Sequence, residues 1–258
     1  MKNIKARIKN NEAVNGCWLN LGNAVTAEIV SSAGFDWVLI DLEHGAGDEQ
    51  QVLSQLQAIE HSNAAAFVRV ENNGRQRVHR VLDFGAEGIM CPHINNETEA
   101  NEMVTGLRYP PHGSRGVAKM VRATQFGKQF ADYYQKANET IVGLAQIESK
   151  EALNHLDAIA QVDGIDVLFI GPADLTMDLG IFGEFDNPVF IDAVKAIVAA
   201  AQKANKATGI LLFNPDDYQK YFNLGIRVIA CGSDSGFVAQ GSRNTADKLD
   251  AVRKSLAK

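Results

Sequence analysis

Two acidic residues, Glu148 and Asp174, follow two neighbouring apolar runs of the sequence. The first run, residues 140–147, reads TIVGLAQI and leads directly to Glu148. The second run, residues 165–170, reads IDVLFI and leads through a Gly-Pro pair to Asp174. Each run has the length and composition of a buried β-strand. If these strands are parallel and adjacent, both carboxylates lie at one edge of a sheet, where two hard oxygen ligands suit Mg²⁺ or Mn²⁺.

Other polar residues stand where strand-like runs end, which is where parallel barrels carry their chemistry. These residues are Asn20, Asp41, His44, Arg69, Gln146, Ser233 and Asp234. Arg69 is unusual, because a buried arginine costs free energy unless an anion pairs with it. A lone histidine such as His44 is more often a hydrogen-bonded loop residue than a base, and either acid could cap the helix that follows it. Both acids, Arg69 and His44 at one edge nevertheless favour a functional site.

The residue types also argue against several kinds of catalysis. None of the strand-like runs has a lysine near its carboxyl end, so a Schiff-base mechanism is not expected. A dinucleotide-binding glycine motif and a G-x-S-x-G motif are both absent from the sequence, so neither a nucleotide cofactor nor a serine nucleophile is expected. A divalent ion, an arginine, a histidine and two acids suit a small anion with an oxygen beside its carboxylate. In such a site Arg69 would stabilise a developing enolate, and His44 or a water on the metal would move the proton.

These side chains need a scaffold that brings strand ends together, and the sequence alternates strand-like runs with helical patterns. The strand-like runs cover residues 16–21, 36–41, 65–70, 88–92, 140–147, 165–170, 208–212 and 227–231. The helical patterns between and after them include residues 24–33, 48–60, 75–84, 97–106, 216–224 and 236–256. Strict alternation predicts a parallel sheet, and eight units predict an α/β fold closed as a (β/α)₈ TIM barrel. The length fits one such barrel, so residues 1–258 are predicted to form a single domain.

One segment, residues 108–139, is too long for an ordinary connection. It contains two consecutive prolines and the cations Arg108, Arg115, Lys119 and Arg122. We predict that it lies at the catalytic rim as a lid or an anion-facing loop. The alternative is a solvated excursion of the surface.

Composition limits the partners of the chain. A net charge of -6 and a pI of about 5.5 argue against nucleic acid. Apolar runs are too short for a membrane span, and the start has no apolar core of a signal peptide. Cys17, Cys91 and Cys231 all fall in strand-like runs, which favours three reduced, buried thiols in a cytoplasmic protein.

Five motifs, in order along nearly the whole chain, together resemble the HpcH/HpaI aldolases. They are residues 35–44 (FDWVLIDLEH), 67–69 (FVR), 108–116 (RYPPHGSRG), 146–148 (QIE) and 169–175 (FIGPADL). These enzymes are metal-dependent pyruvate aldolases that act on 2-keto-3-deoxy sugar acids and 4-hydroxy-2-oxo-diacids. The resemblance implies a barrel of the phosphoenolpyruvate/pyruvate type. It also implies a hexamer in which a late helix, beginning at residues 185–190, is exchanged between subunits.

The resemblance also implies roles for individual residues. His44 would be the acid/base and Arg69 would stabilise the transition state, while Asp83 would raise the basicity of the histidine; Asp41 is counted with these catalytic residues. Glu148 and Asp174 would hold Mg²⁺, Mn²⁺ or Co²⁺. Gln146 and the backbone at Ala173 and Asp174, with Arg69, would bind the pyruvoyl group.

The predicted function is the reversible cleavage of a 2-keto-4-hydroxy acid to pyruvate and an aldehyde. A decarboxylase of oxaloacetate, or an enzyme that condenses an enolate onto an acceptor, would use the same residues and stays an alternative. A non-catalytic barrel that binds a keto acid is disfavoured, because no base or metal ligand is missing from the sequence.

Overall fold

The computed structural model describes residues 3–257, and within them eight parallel strands close into a barrel. The strands are β1 (Val14–Leu19), β2 (Trp37–Asp41), β3 (Ala65–Arg69), β4 (Gly88–Cys91), β5 (Val142–Ile147), β6 (Val167–Ile170), β7 (Ala207–Leu212) and β8 (Val228–Ser233). The α-helices are α1 (Ile4–Lys9), α2 (Ala24–Ser31), α3 (Glu49–Ile59), α4 (Arg75–Asp83), α5 (Glu97–Leu107), α6 (Phe130–Thr140), α7 (Lys150–Asn154), α8 (Leu156–Gln161), α9 (Pro172–Leu179), α10 (Pro188–Lys203), α11 (Tyr218–Asn223) and α12 (Asp234–Leu256). Short 3₁₀ turns occupy Arg122–Thr124 and Pro215–Asp217.

The strand order confirms the predicted (β/α)₈ barrel. Each strand pairs in parallel with its neighbours in the sequence, and β8 pairs with β1 to close the sheet. A bulge between Gly16 and Trp18 shifts the register of that closing pair. All eight carboxyl ends therefore lie at one rim, and the helices that follow return the chain to the amino end.

Aromatic side chains fill the interior of the barrel below that rim. Trp37 stacks on Phe67 with ring centroids 5.4 Å apart, and it meets Phe169 edge-on at 6.3 Å. Trp18 lies 5.6 Å from Phe169. Glycine makes room for these rings, since a Cβ at Gly16 would lie 2.1 Å from the Trp37 ring. This close packing below the rim restricts the movement of the strand ends that carry the polar residues.

Helix α10, with which the resemblance identified the exchanged helix, packs on its own barrel; exchange between subunits stays a prediction. Its apolar face, including Phe190, Val194 and Ile197, is fully buried. The helix contacts β6, β7 and α8 of the same chain. A helix whose apolar face is already covered has no unpartnered face to offer another subunit.

Helix α12 instead leaves the barrel. Among its described residues only Asp234 is buried, and Asp234 lies at the first turn. Its large apolar side chains are exposed, namely Phe237, Val238, Leu249, Val252 and Leu256. The start of α12 contacts β1, β8 and α2, and the rest of its described residues lie exposed beyond the barrel.

The segment 108–139 lies against the outer side of α4 and the amino end of the barrel, so its predicted place at the catalytic rim is wrong. The three arginines named in this segment, Arg108, Arg115 and Arg122, pair with carboxylates of the same chain. Arg108 Nη1 lies 2.8 Å from Asp163 Oδ2, and Arg122 Nη2 lies 2.7 Å from Glu60 Oε2. The physical reason is topological: the segment joins α5 to β5, and a helix-to-strand connection in a barrel lies at the amino end.

Cys17 and Cys91 are buried free thiols, while Cys231 is partly buried and also free. Burial raises the pKa of Cys17 and Cys91 to about 12, so these thiols stay protonated and unreactive. No helix between residues 3 and 257 combines the length and the apolar character needed to cross a bilayer.

Candidate active site

The candidate site is built from residues that face the inside of the barrel. Side chains alternate across a strand, so the inward series of β2 is Trp37, Leu39 and Asp41. The same alternation places Arg69 above Phe67 on β3. On β5 the inward series continues through Val142 and Leu144 to Gln146 and then Glu148. The polar residues predicted at these strand ends therefore meet over one rim.

The first half of the site is the ion pair of Asp41 and Arg69. Arg69 Nε lies 2.9 Å from Asp41 Oδ1, and Arg69 Nη2 lies 2.7 Å from Asp41 Oδ2. Asp41 is fully buried and Arg69 is 8% exposed at its side chain. Burial lowers the pKa of Arg69, but the carboxylates of Asp41, Glu43 and Glu148 raise it by more. The pKa is therefore above its ordinary value, and the guanidinium is charged.

Glu43 completes the anionic cradle of this arginine. Its Oε2 lies 2.8 Å from Arg69 Nη1 as an ion pair rather than as a well-aligned hydrogen bond. The guanidinium also lies over the Trp18 ring, 5.9 Å from its centroid. Since a guanidinium has five N–H groups and three are directed at Asp41 and Glu43, two remain for a ligand.

Asp41 also holds the loop that carries His44. Its Oδ1 accepts hydrogen bonds from the backbone N–H groups of Glu43 at 3.0 Å and His44 at 3.3 Å. Its Oδ2 accepts a hydrogen bond from Asn20 Nδ2 at 2.9 Å. The imidazole of His44 itself is exposed at the mouth of the barrel. Asp41 thus positions both the arginine and the backbone of the predicted acid/base.

The second half of the site is Glu148, which is 3% exposed at the end of β5. Its Oε1 accepts a hydrogen bond from the backbone N–H of His93 at 2.9 Å, and its Oε2 accepts one from Gln146 Nε2. A Cβ at Gly171 would lie 2.1 Å from Glu148 Oε2, so only glycine allows β6 to end this close. The other amide atom of Gln146, Oε1, is buried without a partner among the described residues.

Asp174 faces this carboxylate from the first turn of α9. Burial raises the pKa of Glu148 above its ordinary value, and the charges of Asp174 and Glu43 act in the same direction. Gly171 caps α9 and offers no side-chain acceptor, so the backbone N–H groups of Ala173 and Asp174 can bind an anion. These are the backbone groups that were predicted to bind the pyruvoyl group.

Glu148 and Asp174 fit a hard divalent cation. Two mutually repelling carboxylates, one of them buried, gain stability from a cation between them. No group of three or more metal-ligating side chains occurs among residues 3–257. A cation held here would therefore take two protein ligands and complete its shell with water and substrate, as Mg²⁺ commonly does.

Asp83 is the one predicted catalytic residue that the structure does not bring to this rim. It ends α4, about 12 Å along that helix from its start at the rim, and its Oδ1 lies 3.0 Å from Arg115 Nη2. Arg115 is fully buried and lies between the rings of Tyr109 and Tyr133. Within one chain Asp83 is therefore committed to Arg115 and not to His44.

Glu43 and His93 are members of the site for which the sequence had suggested no role. Glu43 lies two residues past the end of β2, so its position near Asp41 could have indicated a second partner for Arg69. His93 lies two residues past β4, a strand for which we had noted no polar residue at the carboxyl end. The position beyond the strand was visible in the sequence, but the contact with Glu148 depends on how β4 and β5 pair.

The chain matches known proteins over most of its length. The profile of the HpcH/HpaI aldolase/citrate lyase family matches residues 15–241. A 4-hydroxy-2-oxo-heptane-1,7-dioate aldolase from Salmonella arizonae is 38% identical over 255 residues, which cover 98% of this chain and 97% of that protein. A crystal structure of an HpcH/HpaI aldolase/citrate lyase family protein from Burkholderia cenocepacia J2315 superposes with a TM-score of 0.91 at 35% identity, covering 97% of this chain and 100% of the other. The citrate synthase SbnG superposes with a TM-score of 0.86 at 27% identity over 100% of both chains.

These similarities confirm the resemblance that was inferred from five motifs, together with the prediction of an aldolase, which is a carbon–carbon lyase. The matched region includes every residue of the rim described above, from Asn20 to Asp174. The chain belongs to the HpcH/HpaI aldolase/citrate lyase family.

Proposed function

We propose that this chain cleaves a 2-keto-4-hydroxy acid, including 2-keto-3-deoxy sugar acids, reversibly to pyruvate and an aldehyde, with a divalent ion at Glu148 and Asp174. The observation that carries the proposal is the arrangement of two opposed groups at one rim. A charged Arg69, three of whose five N–H groups are directed at Asp41 and Glu43, lies within charge interaction of Glu148, which with Asp174 forms a pair of carboxylates that suits Mg²⁺, Mn²⁺ or Co²⁺. The Salmonella relative, whose name gives its substrate as a 4-hydroxy-2-oxo diacid, supports this substrate class.

Binding begins with the keto-acid end of the substrate. The backbone N–H groups of Ala173 and Asp174 hold the carboxylate at the start of α9. The buried and unpartnered Oε1 of Gln146 gives a polar contact on the opposite side. A divalent ion, when bound, draws electron density from the carbonyl of the keto acid.

Bond cleavage then needs a base for the C4 hydroxyl and stabilisation of the negative charge that develops on the C2 oxygen. His44 takes the proton of the C4 hydroxyl, the C3–C4 bond breaks, and the aldehyde leaves. The electron pair of that bond passes to C3 as an enolate, whose oxygen is stabilised by the free N–H groups of Arg69. The proton held by His44, or one from water, then passes to C3, and pyruvate is released. A water could replace His44 as the base, since the imidazole is exposed at the mouth.

A second function has one observation in its favour. The similarity to the citrate synthase SbnG, at 27% identity over the whole chain, supports an enzyme that condenses an enolate onto an acceptor. The same Arg69 and the same two acids would stabilise that enolate. Decarboxylation of oxaloacetate would also use this arrangement.

A panel of acceptors separates these functions. Pyruvate and Mn²⁺ are incubated with aldehydes of different length and charge, and the products are identified by mass spectrometry. Oxaloacetate is tested in parallel, alone and with an acceptor. An aldolase forms an aldol product from pyruvate, whereas a decarboxylase or a condensing enzyme consumes oxaloacetate and leaves pyruvate and aldehyde unchanged. The variant Glu148→Gln is the matched control and is expected to be inactive in every reaction.

The chain is further proposed to act as a homo-oligomer, with a hexamer as the assembly that the family implies. Helix α12 has 23 residues and little support from its own barrel, and an isolated helix is marginal in water. Helix α2 leaves Val25 62% and Ile29 64% exposed. A neighbouring copy that places its α12 against the barrel would cover both surfaces. Asp83 could reach a catalytic histidine only if that histidine belongs to another subunit.

A cytoplasmic location remains part of the proposal. It is supported by the three free thiols, because proteins in oxidising compartments more often pair their cysteines.

A further inference from the structure

His93 has an unusual backbone at the rim. Its φ is +50°, in the left-handed region that residues with a Cβ rarely adopt. Hydrogen bonds of the next two residues, Ile94 and Asn95, hold the backbone of His93 in this conformation. Asn95 Nδ2 donates to the carbonyl oxygen of His93 at 3.0 Å, and the backbone N–H of Ile94 donates to the carbonyl of Gln146 at 3.1 Å. A rare conformation that is fixed on both sides and lies at a functional site suggests a role for the residue.

The backbone N–H and the ring Nδ1 of His93 both lie close to the same carboxylate oxygen, Oε1 of Glu148. The backbone N–H donates to Glu148 Oε1 at 2.9 Å, and the ring Nδ1 lies 3.4 Å from that oxygen. The side chain is 58% exposed, so burial of the ring does not explain its placement. The other oxygen, Oε2, points to Gln146 and to the space that Gly171 leaves open. The two oxygens of Glu148 therefore have separate environments, one occupied by His93 and one directed into the site.

We propose that His93 is a positioning residue that holds Oε1 of Glu148 through its backbone and its imidazole, and so directs Oε2 toward the divalent ion. This inference rests on the proposed function, because it requires a metal at Glu148. At 3.4 Å the ring contact is an electrostatic one rather than a well-aligned hydrogen bond: with its proton on Nδ1, a neutral imidazole presents the positive end of the N–H dipole to Oε1. Groups that orient a metal ligand commonly change metal affinity about 10–100-fold when they are removed.

The test is the affinity for Mn²⁺ of the full-length protein, measured from the electron paramagnetic resonance signal of free Mn²⁺ and by titration calorimetry. His93→Gly keeps the backbone conformation and removes the ring, and it is expected to weaken Mn²⁺ binding about 10-fold or more. His93→Asn tolerates a left-handed backbone and carries an amide N–H near the position of Nδ1, so it is expected to restore most of the affinity. His61→Asn is the matched control, since His61 is exposed just past the end of α3 and outside the site; its Mn²⁺ affinity should equal that of the wild type.

The inference is overturned if folded His93→Gly, with a wild-type melting temperature, binds Mn²⁺ as tightly as the wild type. It is also overturned if His93→Asn binds no better than His93→Gly, because a purely structural role of the loop does not depend on a donor at that position. If the glycine variant does not fold, His93→Gln takes its place. The side chain of glutamine is one carbon longer than that of asparagine, so its amide does not match the position of Nδ1, and this variant should bind Mn²⁺ weakly. Glu148→Gln separates the two proposals. If this variant binds Mn²⁺ like the wild type, the proposed metal site is wrong. If Glu148→Gln loses Mn²⁺ affinity while His93→Gly keeps it, only the role of His93 is refuted.

Discussion

Replacing Arg69 by lysine tests the proposed mechanism at its most constrained point. The guanidinium directs three of its five N–H groups at Asp41 and Glu43 and leaves two for the substrate. A lysine ammonium has three N–H groups on one nitrogen and cannot span both carboxylates and the enolate oxygen. Arg69→Lys therefore removes the stabilisation of the enolate while it keeps a positive charge beside Asp41.

The expected loss follows from the donors removed. One preorganised donor to a developing oxyanion commonly contributes about 10²–10³ in turnover, so Arg69→Lys should lower kcat by about that factor. Arg69→Ala should lower kcat by at least the same factor. It also leaves the fully buried Asp41 carboxylate without its ion-pair partner, which should destabilise the fold by about 3–5 kcal/mol. The lysine variant is thus the cleaner test of chemistry, and the alanine variant tests the stability of the pair.

Two assays separate binding from chemistry. Exchange of the C3 protons of pyruvate in D₂O, followed by NMR, measures enolate formation without any aldehyde. Cleavage of a 4-hydroxy-2-oxo acid, coupled to the reduction of pyruvate, measures the whole reaction. Both rates should fall together in Arg69→Lys, with an unchanged melting temperature. A folded lysine variant that exchanges and cleaves at nearly wild-type rates would remove Arg69 from the mechanism.

Four further predictions address the metal, the covalent chemistry, the stability and the assembly. Chelation with EDTA should abolish cleavage and Mn²⁺ or Mg²⁺ should restore it, because Glu148 and Asp174 suit a hard cation; cleavage that survives chelation contradicts the metal site. Borohydride added with pyruvate should leave the protein mass unchanged, since no lysine is expected at the rim, and an adduct seen by mass spectrometry would overturn this. Burial, with the charges of Arg75 and Arg115, lowers the pKa of His79 to about 4. Stability should therefore fall as the pH drops from about 6.5 to about 4, where the unfolded chain binds a proton that the folded chain does not. Solvent screening at this half-buried site limits the loss to about 1–2 kcal/mol. Urea unfolding at pH 7 and pH 4.5 should show that His79→Gln loses less than the wild type, and equal losses would exclude this histidine. Removal of residues 241–258 should reduce the oligomer mass measured by light scattering, whereas an unchanged mass would show that α12 is not an assembly element.

The alternation of strand-like and helical patterns was sufficient to predict the barrel. Eight short apolar runs separated by helices can bury themselves only as a parallel sheet covered on its outer face. The same patterns placed Asp41, Arg69 and Glu148 at one rim, because side chains alternate along a strand and all carboxyl ends of a parallel barrel meet there. Element bounds shifted by up to two residues, as at β5, which begins at Val142 where α6 has just ended.

The order of elements around residues 108–139 already implies that this segment lies at the amino end of the barrel. A segment that joins a helix to the next strand starts and ends at the amino end of the barrel, whatever its length. Its cations are therefore partners of Asp163, Glu60 and Asp83 rather than contacts for a substrate. Charge alone did not distinguish these two environments, since an arginine contacts a carboxylate of the protein or of a ligand with the same geometry.

The sequence by itself determined the strand count, the inward positions and the residue types that make an enolate-stabilising site. Only the tertiary structure decided which carboxylates pair with Arg69, that His93 contacts Glu148, and that α12 rather than α10 leaves the barrel. The physical reason is that periodicity records which face of an element is buried, whereas the identity of the group it meets depends on how neighbouring strands register and where each loop ends. Those contacts join residues far apart in the chain, 28 positions for Asp41 and Arg69 and 55 for His93 and Glu148.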